Sequence, residues 1–280
     1  MTLFRKNRPS TGTNYAESLS VRFVFISVLV FLYAPLFTLI AFSFNDSRRN
    51  IVWKGFTTKY YEKAAANTGL IEAFTNSLVI AFITTIVAVI LGAMVGMCLW
   101  RFRFRFKPLF ESVIVLPIVI PEICLGVAML VFFSRAGWPA DLVWPFNLGN
   151  IIIAHIMFCF PFVAIIVRAR LAGFNNEMEE AARDLGASDW HVVTDILLPY
   201  LKPSLIAGGM LAFILSLDDF VITFFTSGPD TITFPVKVYS MVRFSVTPEV
   251  NAASTILILI TIFLTVLVMQ IQSRTQTKIF

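Results

Sequence analysis

Asp218 and Asp219 stand side by side in Leu215-Ser216-Leu217-Asp218-Asp219-Phe220-Val221, inside an apolar run that offers an ionised carboxylate little water. An Asp at the centre of a membrane helix costs about 2.5–3.5 kcal/mol, so a pair of them must face protein or a wet path. Glu122 is a third such acid, placed directly after Pro121 in another apolar run. Carboxylates in such surroundings suit the passage of a cation, because they replace the hydration of an ammonium; aromatic faces nearby add roughly 0.5–2 kcal/mol each. Trp138, Tyr239, Phe224 and Phe225 are the aromatic candidates. The same acids have a structural alternative, pairing with Arg243, Ser216 or Thr223 or sitting at a wet helix end. Adjacent helical residues point about 100° apart, so one Asp can face a path while the other satisfies a helix or the backbone. The sequence leaves open which does so.

Other chemistries lack their residues. There is no P-loop, His-Glu-x-x-His or Cys-x-x-Cys pattern, so neither nucleotide hydrolysis, a metal site nor a cofactor site is encoded. His155 lies in an apolar run and His191 in a charged one, each without a companion at ligand spacing, and both are read as polar packing residues. Cys98, Cys124 and Cys159 all fall in apolar runs, and an odd number of buried thiols argues against a disulfide framework. The net charge of +5 is spread over several loops rather than gathered in a patch, which argues against a nucleic-acid partner.

The elements that position these acids belong in lipid. Of 280 residues 58% are hydrophobic and 14% charged, with a mean hydropathy of +0.81, far from the balance of a soluble domain. Six apolar runs, Val21–Phe44, Ile71–Leu99, Leu109–Phe133, Leu148–Val167, Leu205–Phe225 and Ala252–Ile271, are each long enough to cross a hydrocarbon core of about 30 Å as a helix. The expected fold class is an all-α membrane protein with six transmembrane helices over 21–272, flanked by an N-terminal segment 1–20 and a tail 273–280. Arg101, Arg103, Arg105 and Lys107 crowd the loop after the second span, which sets that loop in the cytoplasm. Both termini and the charged loop 175–203 then lie on the same side. The first outer loop, with Arg48, Arg49, Lys54, Lys59 and Lys63, is a mild exception. The Arg-Phe alternation from Arg101 to Phe106 reads as a juxtamembrane belt, with Arg at lipid phosphates and Phe in the interface. Trp53, Tyr60 and Tyr61 suit an interfacial helix outside. Pro117 and Pro121 predict a bent or broken third span, and Glu122 and Asp218 fall about 14 residues, or roughly 21 Å, inward from the cytoplasmic ends of their spans.

Between the fourth and fifth spans runs Asn175 to Pro203, with acids Glu177, Glu179, Glu180, Asp184, Asp189 and Asp195 that exclude it from lipid. Strong helix formers follow an Asn able to cap, Gly186 supplies a helix C-terminus, and Ser188 or Asp189 starts a second helix running to Pro199. Met178, Ala181, Ala182 and Leu185 recur at spacings of three or four, a small-residue strip suited to close docking, while Glu179, Glu180, Arg183 and Asp184 fall largely on other faces.

The order Glu180-Ala181-Ala182, three residues, Gly186, nine residues, Ile196, one residue, Leu198-Pro199 resembles the EAA loop of binding-protein-dependent ABC importer permeases at every fixed position. The resemblance extends over nearly the whole chain. Leu32-Tyr33-Ala34-Pro35, Ala41 to Asn45, the run Leu215 to Val221, Thr226-Ser227-Gly228-Pro229 and Val242 to Ala252 are similar to the spermidine/putrescine branch, in particular to the second of its two permease subunits. It implies a type I importer fold whose loop forms a coupling helix, with Glu179, Glu180, Ala181, Ala182, Leu185, Gly186 and Ala187 at the ATPase. It also implies an inner-membrane location, a heterodimer with a homologous permease, a dimer of ATPase subunits, and an extracytoplasmic polyamine-binding protein. Asp218, Asp219, Glu122, Tyr239 and Trp138 would line the solute path. Related branches carry other organic cations or opine-like solutes. Two readings from other classes stand beside it: an ion-coupled carrier or channel relaying through Glu122 and Asp218, and a permease-like sensor that transports nothing. The carrier reading is weakened because only one span is clearly interrupted by proline, where such carriers often pair broken helices in repeats.

Overall fold

The computed structural model describes residues 19–47, 52–136, 142–244 and 248–276. Among these residues twelve α-helices follow in order: α1 (Leu19–Ser43), α2 (Lys59–Ala66), α3 (Thr68–Arg101), α4 (Lys107–Val119), α5 (Glu122–Ala136), α6 (Gly149–Leu171), α7 (Glu177–Asp184), α8 (Asp189–His191), α9 (Leu198–Asp218), α10 (Val221–Thr226), α11 (Phe234–Phe244) and α12 (Pro248–Gln276). Among the described residues the one β-type pairing is an isolated bridge between Asn45 and Phe56. Among the described residues four helices are long and apolar enough to cross a membrane, and α4 with α5 makes a fifth if the bent pair is one span. The expected sixth falls in α12, whose described apolar part, Pro248–Phe263, is shorter.

Two spans are not single helices. The third breaks at Pro121, where Ile120 takes the extended backbone favoured before proline (φ −68°, ψ 135°), and the two arms diverge by 103°. Pro117 stays inside α4. The fifth span departs from the continuous Leu205–Phe225 expected from hydropathy: α9 ends at Asp218, Asp219 is extended (φ −62°, ψ 124°), and the short α10 restarts at Val221. The cause is local. The Asp219 carboxylate accepts from the N–H groups of Ile222 and Thr223, donors that a new helix start leaves without partners.

The second helix of the charged loop also differs from expectation, because it does not stop at Pro199. Asp189–Asp218 is one continuous helix, with a π-helical turn over Val192–Leu197 in which the Leu198 N–H reaches back five residues to Val193. A wider turn there gives the Pro199 ring space that ordinary α-helical pitch denies it.

The core lies where α3, α6 and α9 meet. Ile80, Ala81 and Ala88 of α3, Ala154, Cys159, Val163 and Val167 of α6, and Leu201 and Ala212 of α9 are all buried there or alongside. Small residues predominate, as expected where lipid tails remove the hydrophobic drive between helices and close backbone approach supplies the attraction. By contrast α1 is exposed along its apolar length, with α12 its principal neighbour. At 34 residues α3 is about 51 Å long, well beyond a 30 Å hydrocarbon layer, so it projects into both poles of the bundle.

Basic residues gather at one pole. Arg101, Arg103, Arg105 and Lys107 join α3 to α4, and Arg168 and Arg170 end α6, where Arg168 pairs with Glu111 of α4 at 3.0 Å. At the other pole α2 tucks Tyr60 and Ala64 inward, and the Ser43 and Tyr61 hydroxyls share a 2.6 Å hydrogen bond.

Candidate functional site

The elbow between α6 and α9 is held by backbone chemistry that explains its residue order. Asn176 stands at the N-terminal cap of α7 without a side-chain cap bond, and Asn175 just ahead of it accepts from the Glu177 N–H through its carboxamide oxygen at 3.0 Å. At the other end the Ala187 N–H donates to the Ala182 carbonyl at 3.0 Å and the Gly186 N–H to the Arg183 carbonyl at 2.9 Å. That pair of bonds closes a helix only if the intervening residue turns left-handed, and Gly186 sits at φ +87°. Ser188 then caps the next helix through the His191 N–H at 3.4 Å. Two alanines, three residues and a glycine are therefore the spacing at which the Ala182 carbonyl meets its donor.

Side chains sort onto two faces. Glu180, Ala181, Leu185 and Gly186 are exposed, Leu185 by 90%, and Met178 and Trp190 are also exposed beside them; Ala182 and Ala187 are half-buried. A shallow groove of about 430 Å³ runs between Ala182, Leu185, Gly186, His191 and Ile196. Glu179 faces the other way. It is 5% exposed and receives both terminal nitrogens of Arg101, at 2.7 and 2.8 Å, together with Arg183 at 3.1 Å. Arg183 continues to Asp189 at 2.6 Å, and its proton affinity is pushed up, first by the Glu179 bond and then by the Asp189 bond.

A Cβ at position 186 would meet nothing within 4 Å, so substitution there strains the backbone rather than the packing. Gly186→Val is expected to cost about 1–3 kcal/mol for a non-glycine residue held left-handed and to loosen the elbow, whereas Gly186→Asn, which tolerates that region, keeps most of its function. Uptake and ATP hydrolysis by the assembled complex measure this, and equal coupling in both variants would count against the turn.

The acids in the membrane are also sorted. Asp219 has a side chain 5% exposed, fully engaged by the Ile222 and Thr223 N–H groups, the Thr223 hydroxyl at 2.8 Å and His155 Nε2 at 3.3 Å. His155 is 2% exposed and is held by Ser216 at 2.8 Å and Thr223 at 2.9 Å. The hydroxyl alternative weighed for these acids thus describes Asp219. Asp218 is exposed instead and lies within Coulombic reach of Glu122, itself exposed at the start of α5. The broken spans bring them together: the Phe225 ring of α10 covers Gly126 one turn along from Glu122, where a Cβ would sit 2.7 Å from the ring. Tyr239 of α11 packs on Phe220 at 4.8 Å and Phe224 at 6.3 Å, leaving 47% of its surface exposed. Trp138 lies outside the described residues.

Residues 88–279 match the family described as the binding-protein-dependent transport system inner membrane component. The chain belongs to that family. It is therefore a non-catalytic permease subunit of an ABC transporter in the inner membrane, with ATP hydrolysis on a separate subunit. The permease is 39% identical to the spermidine/putrescine transport system permease protein PotC of Escherichia coli K12 over 90% of this chain and 93% of that one. It is 40% identical to the putrescine transport system permease protein PotI of the same organism over 81% and 82%. Its fold matches a subunit of a bacterial alginate ABC transporter, solved in complex with an alginate pentasaccharide-bound periplasmic protein, at a TM-score of 0.68 over 93% of each chain and 16% identity.

His155 is the polar packing residue that the sequence suggests, buried against Ser216 and Thr223, whereas residue patterns single out neither the pairing role of Arg101 nor the glycines of the α3–α6 seam. Gly92 and Gly96 form a small-xxx-small pattern that was available as a signal. Arg101 carried none beyond being the belt's basic residue nearest the lipid span.

Proposed function

We propose that the permease passes polyamines of the spermidine/putrescine class across the inner membrane in an ATP-driven importer. The observation that carries this is the identity of 39% to PotC along 90% of the chain. The carboxylates support it, because exposed Asp218 beside Glu122 offers a cation what water would otherwise supply. In this reading the membrane domain is 21–272 with six spans, α12 being the last. Both termini and the loop 175–203 face the cytoplasm. Asp218, Glu122 and Tyr239 line the path, with Trp138 as a further candidate, and Asp219 supports them by holding the helix break. Glu180, Ala181, Ala182, Leu185, Gly186 and Ala187 dock in a groove of the ATPase. Glu179 acts from behind that face.

The partners are a homologous permease subunit, two ATPase copies and an external polyamine-binding protein. ATP-driven closure of the ATPases draws the coupling helices together and opens the permease outward to receive solute.

The test is uptake of labelled spermidine and putrescine by the co-expressed complex, with diamines, triamines and opines as competitors. Asp218→Asn is expected to lower kcat/KM by roughly 10- to 100-fold, the equivalent of about 1.5–3 kcal/mol for a hydrogen bond to a charged group, while leaving the amount of folded complex unchanged. Competition by opines but not by amines would reject the polyamine assignment, and undiminished uptake by Asp218→Asn would remove that residue from the path.

A further inference from the structure

An eight-residue helix held by apolar packing alone would bury the large apolar side chains on and next to it, yet Met178 is 53% exposed and Leu185, at its C-terminal cap, 90% exposed. Of the four acids in α7, Glu177, Glu180 and Asp184 are exposed and Glu179 is buried. Its carboxylate is what fastens the helix. Arg101 grips it with a two-pronged bond at 2.7 and 2.8 Å, a geometry that fixes direction as well as distance, and Arg183 braces the same oxygen and reaches Asp189 on the next helix.

Arg101 is the last residue of α3, which runs 34 residues without a proline, whereas α4, α6 and α9 carry Pro117, Pro161 and Pro203 in their interiors and the third and fifth spans are broken. Towards its far end α3 holds two loops of the opposite pole. Trp144 Nε1 donates to Asn76 Oδ1 at 3.0 Å, Asn76 Nδ2 donates to the Ile232 carbonyl at 3.1 Å, and the Phe234 N–H donates to the Ser77 hydroxyl at 2.9 Å. One uninterrupted rod therefore joins α7 to the loops on the other side of the membrane.

We infer that Arg101 is a positioning residue for transport: through Glu179 it makes α7 and α3 one rigid body, so that displacement of α7 is delivered along α3 to the loops held by Asn76 and Ser77. The inference rests on the reading of α7 as the ATPase-docking helix. Arg101 touches neither solute nor ATPase in this scheme. A pair serving stability alone would change the quantity of assembled complex but not the solute moved per ATP hydrolysed.

That ratio is the readout, measured on the whole complex in vesicles with its binding protein, for Arg101→Gln, Glu179→Gln, the double variant and Arg101→Lys. Each Gln variant is expected to lower the ratio about tenfold while hydrolysis continues, and the double variant to be no worse than either single one, because the two groups act as a unit. Arg101→Lys keeps the charge without the fork and is expected to fall between. Wild-type coupling in Glu179→Gln, or additive losses in the double variant, overturns the inference. Should the Gln variants fail to assemble, Arg101→Lys decides alone, and a wild-type ratio there overturns it. Leu185→Asp tests the underlying reading separately, since Leu185 lies on the exposed face away from the pair. If that variant recruits the ATPase normally the docking assignment fails, whereas a loss of recruitment alongside normal coupling in the Arg101 series sinks only the rod.

Discussion

Replacing Gly92 with valine is expected to unseat α3 from α6 and to be the most destabilising change in the membrane core. A Cβ on Gly92 would lie 2.5 Å from Val163 Cβ and 2.9 Å from the Phe160 carbonyl, and one on Gly96 would lie 2.9 Å from the Ala164 carbonyl. Backbone carbonyls cannot rotate away as a side chain can. Val163 has no slack either, being fully buried and already 3.1 Å from where a Gly208 Cβ would sit on α9. Adding atoms to a well-packed core costs about 1–3 kcal/mol, and here the added methyls must part the seam where three helices meet. Lipid tails give the separated faces as apolar a neighbour as each other, so little opposes the separation. Gly92→Val is therefore expected to lower the Tm and yield of the complex sharply, with Gly92→Ala intermediate. Gly173→Ala is the control, because the nearest atom to its added carbon is 3.7 Å away. A Gly92→Val complex that melts with the wild type would mean the seam is looser than these distances imply.

The second large effect is expected at Asp219. Asp219→Ala removes the acceptor for two N–H groups at the start of α10 and for the buried Thr223 hydroxyl, and it leaves His155 Nε2 with Thr223 as its remaining partner in a site where the imidazole is 2% exposed. Loss of a cap costs about 0.5–2 kcal/mol, and a buried polar group deprived of a partner about 1–3 kcal/mol. The two terms share one side chain and do not simply add. Asp219→Asn keeps one acceptor oxygen and is expected to lose less. Asp218→Asn, one residue away but exposed, is expected to lose none of the stability and most of the uptake. Thermal unfolding and uptake measured side by side separate the roles, and similar melting curves for Asp218→Asn and Asp219→Ala would contradict the division between them.

The interrupted spans bear on the reading as a carrier. Proline patterns pointed to one broken span, at Pro121, whereas the fifth is broken too, by an aspartate rather than a proline. Broken helices alone thus do not separate this chain from ion-coupled carriers; the family match does.

By itself the sequence determined much of what depends on one segment at a time, although the break at Asp219 and the run of helix past Pro199 are local too and were not read from it. Hydropathy over about 20 residues marked the four long apolar helices and the bent pair, Pro121 marked one break, and Gly186 marked the end of α7, because burial in lipid, a missing N–H and a left-handed φ are properties of a residue and its near neighbours. The EAA spacing was legible for the same reason, since it joins a carbonyl to a donor five residues on. Only the tertiary structure decided which acids turn inward. Glu179 is turned by Arg101, 78 residues earlier, and Asp219 by a His155 that also binds Thr223, 68 residues away. Periodicity placed Glu179 off the docking strip but could not say that it would be buried, and it left Asp218 and Asp219 equivalent. A buried charge goes where its counter-group is, and that address is written by the packing of α3, α6 and α9 rather than by the order of residues around it.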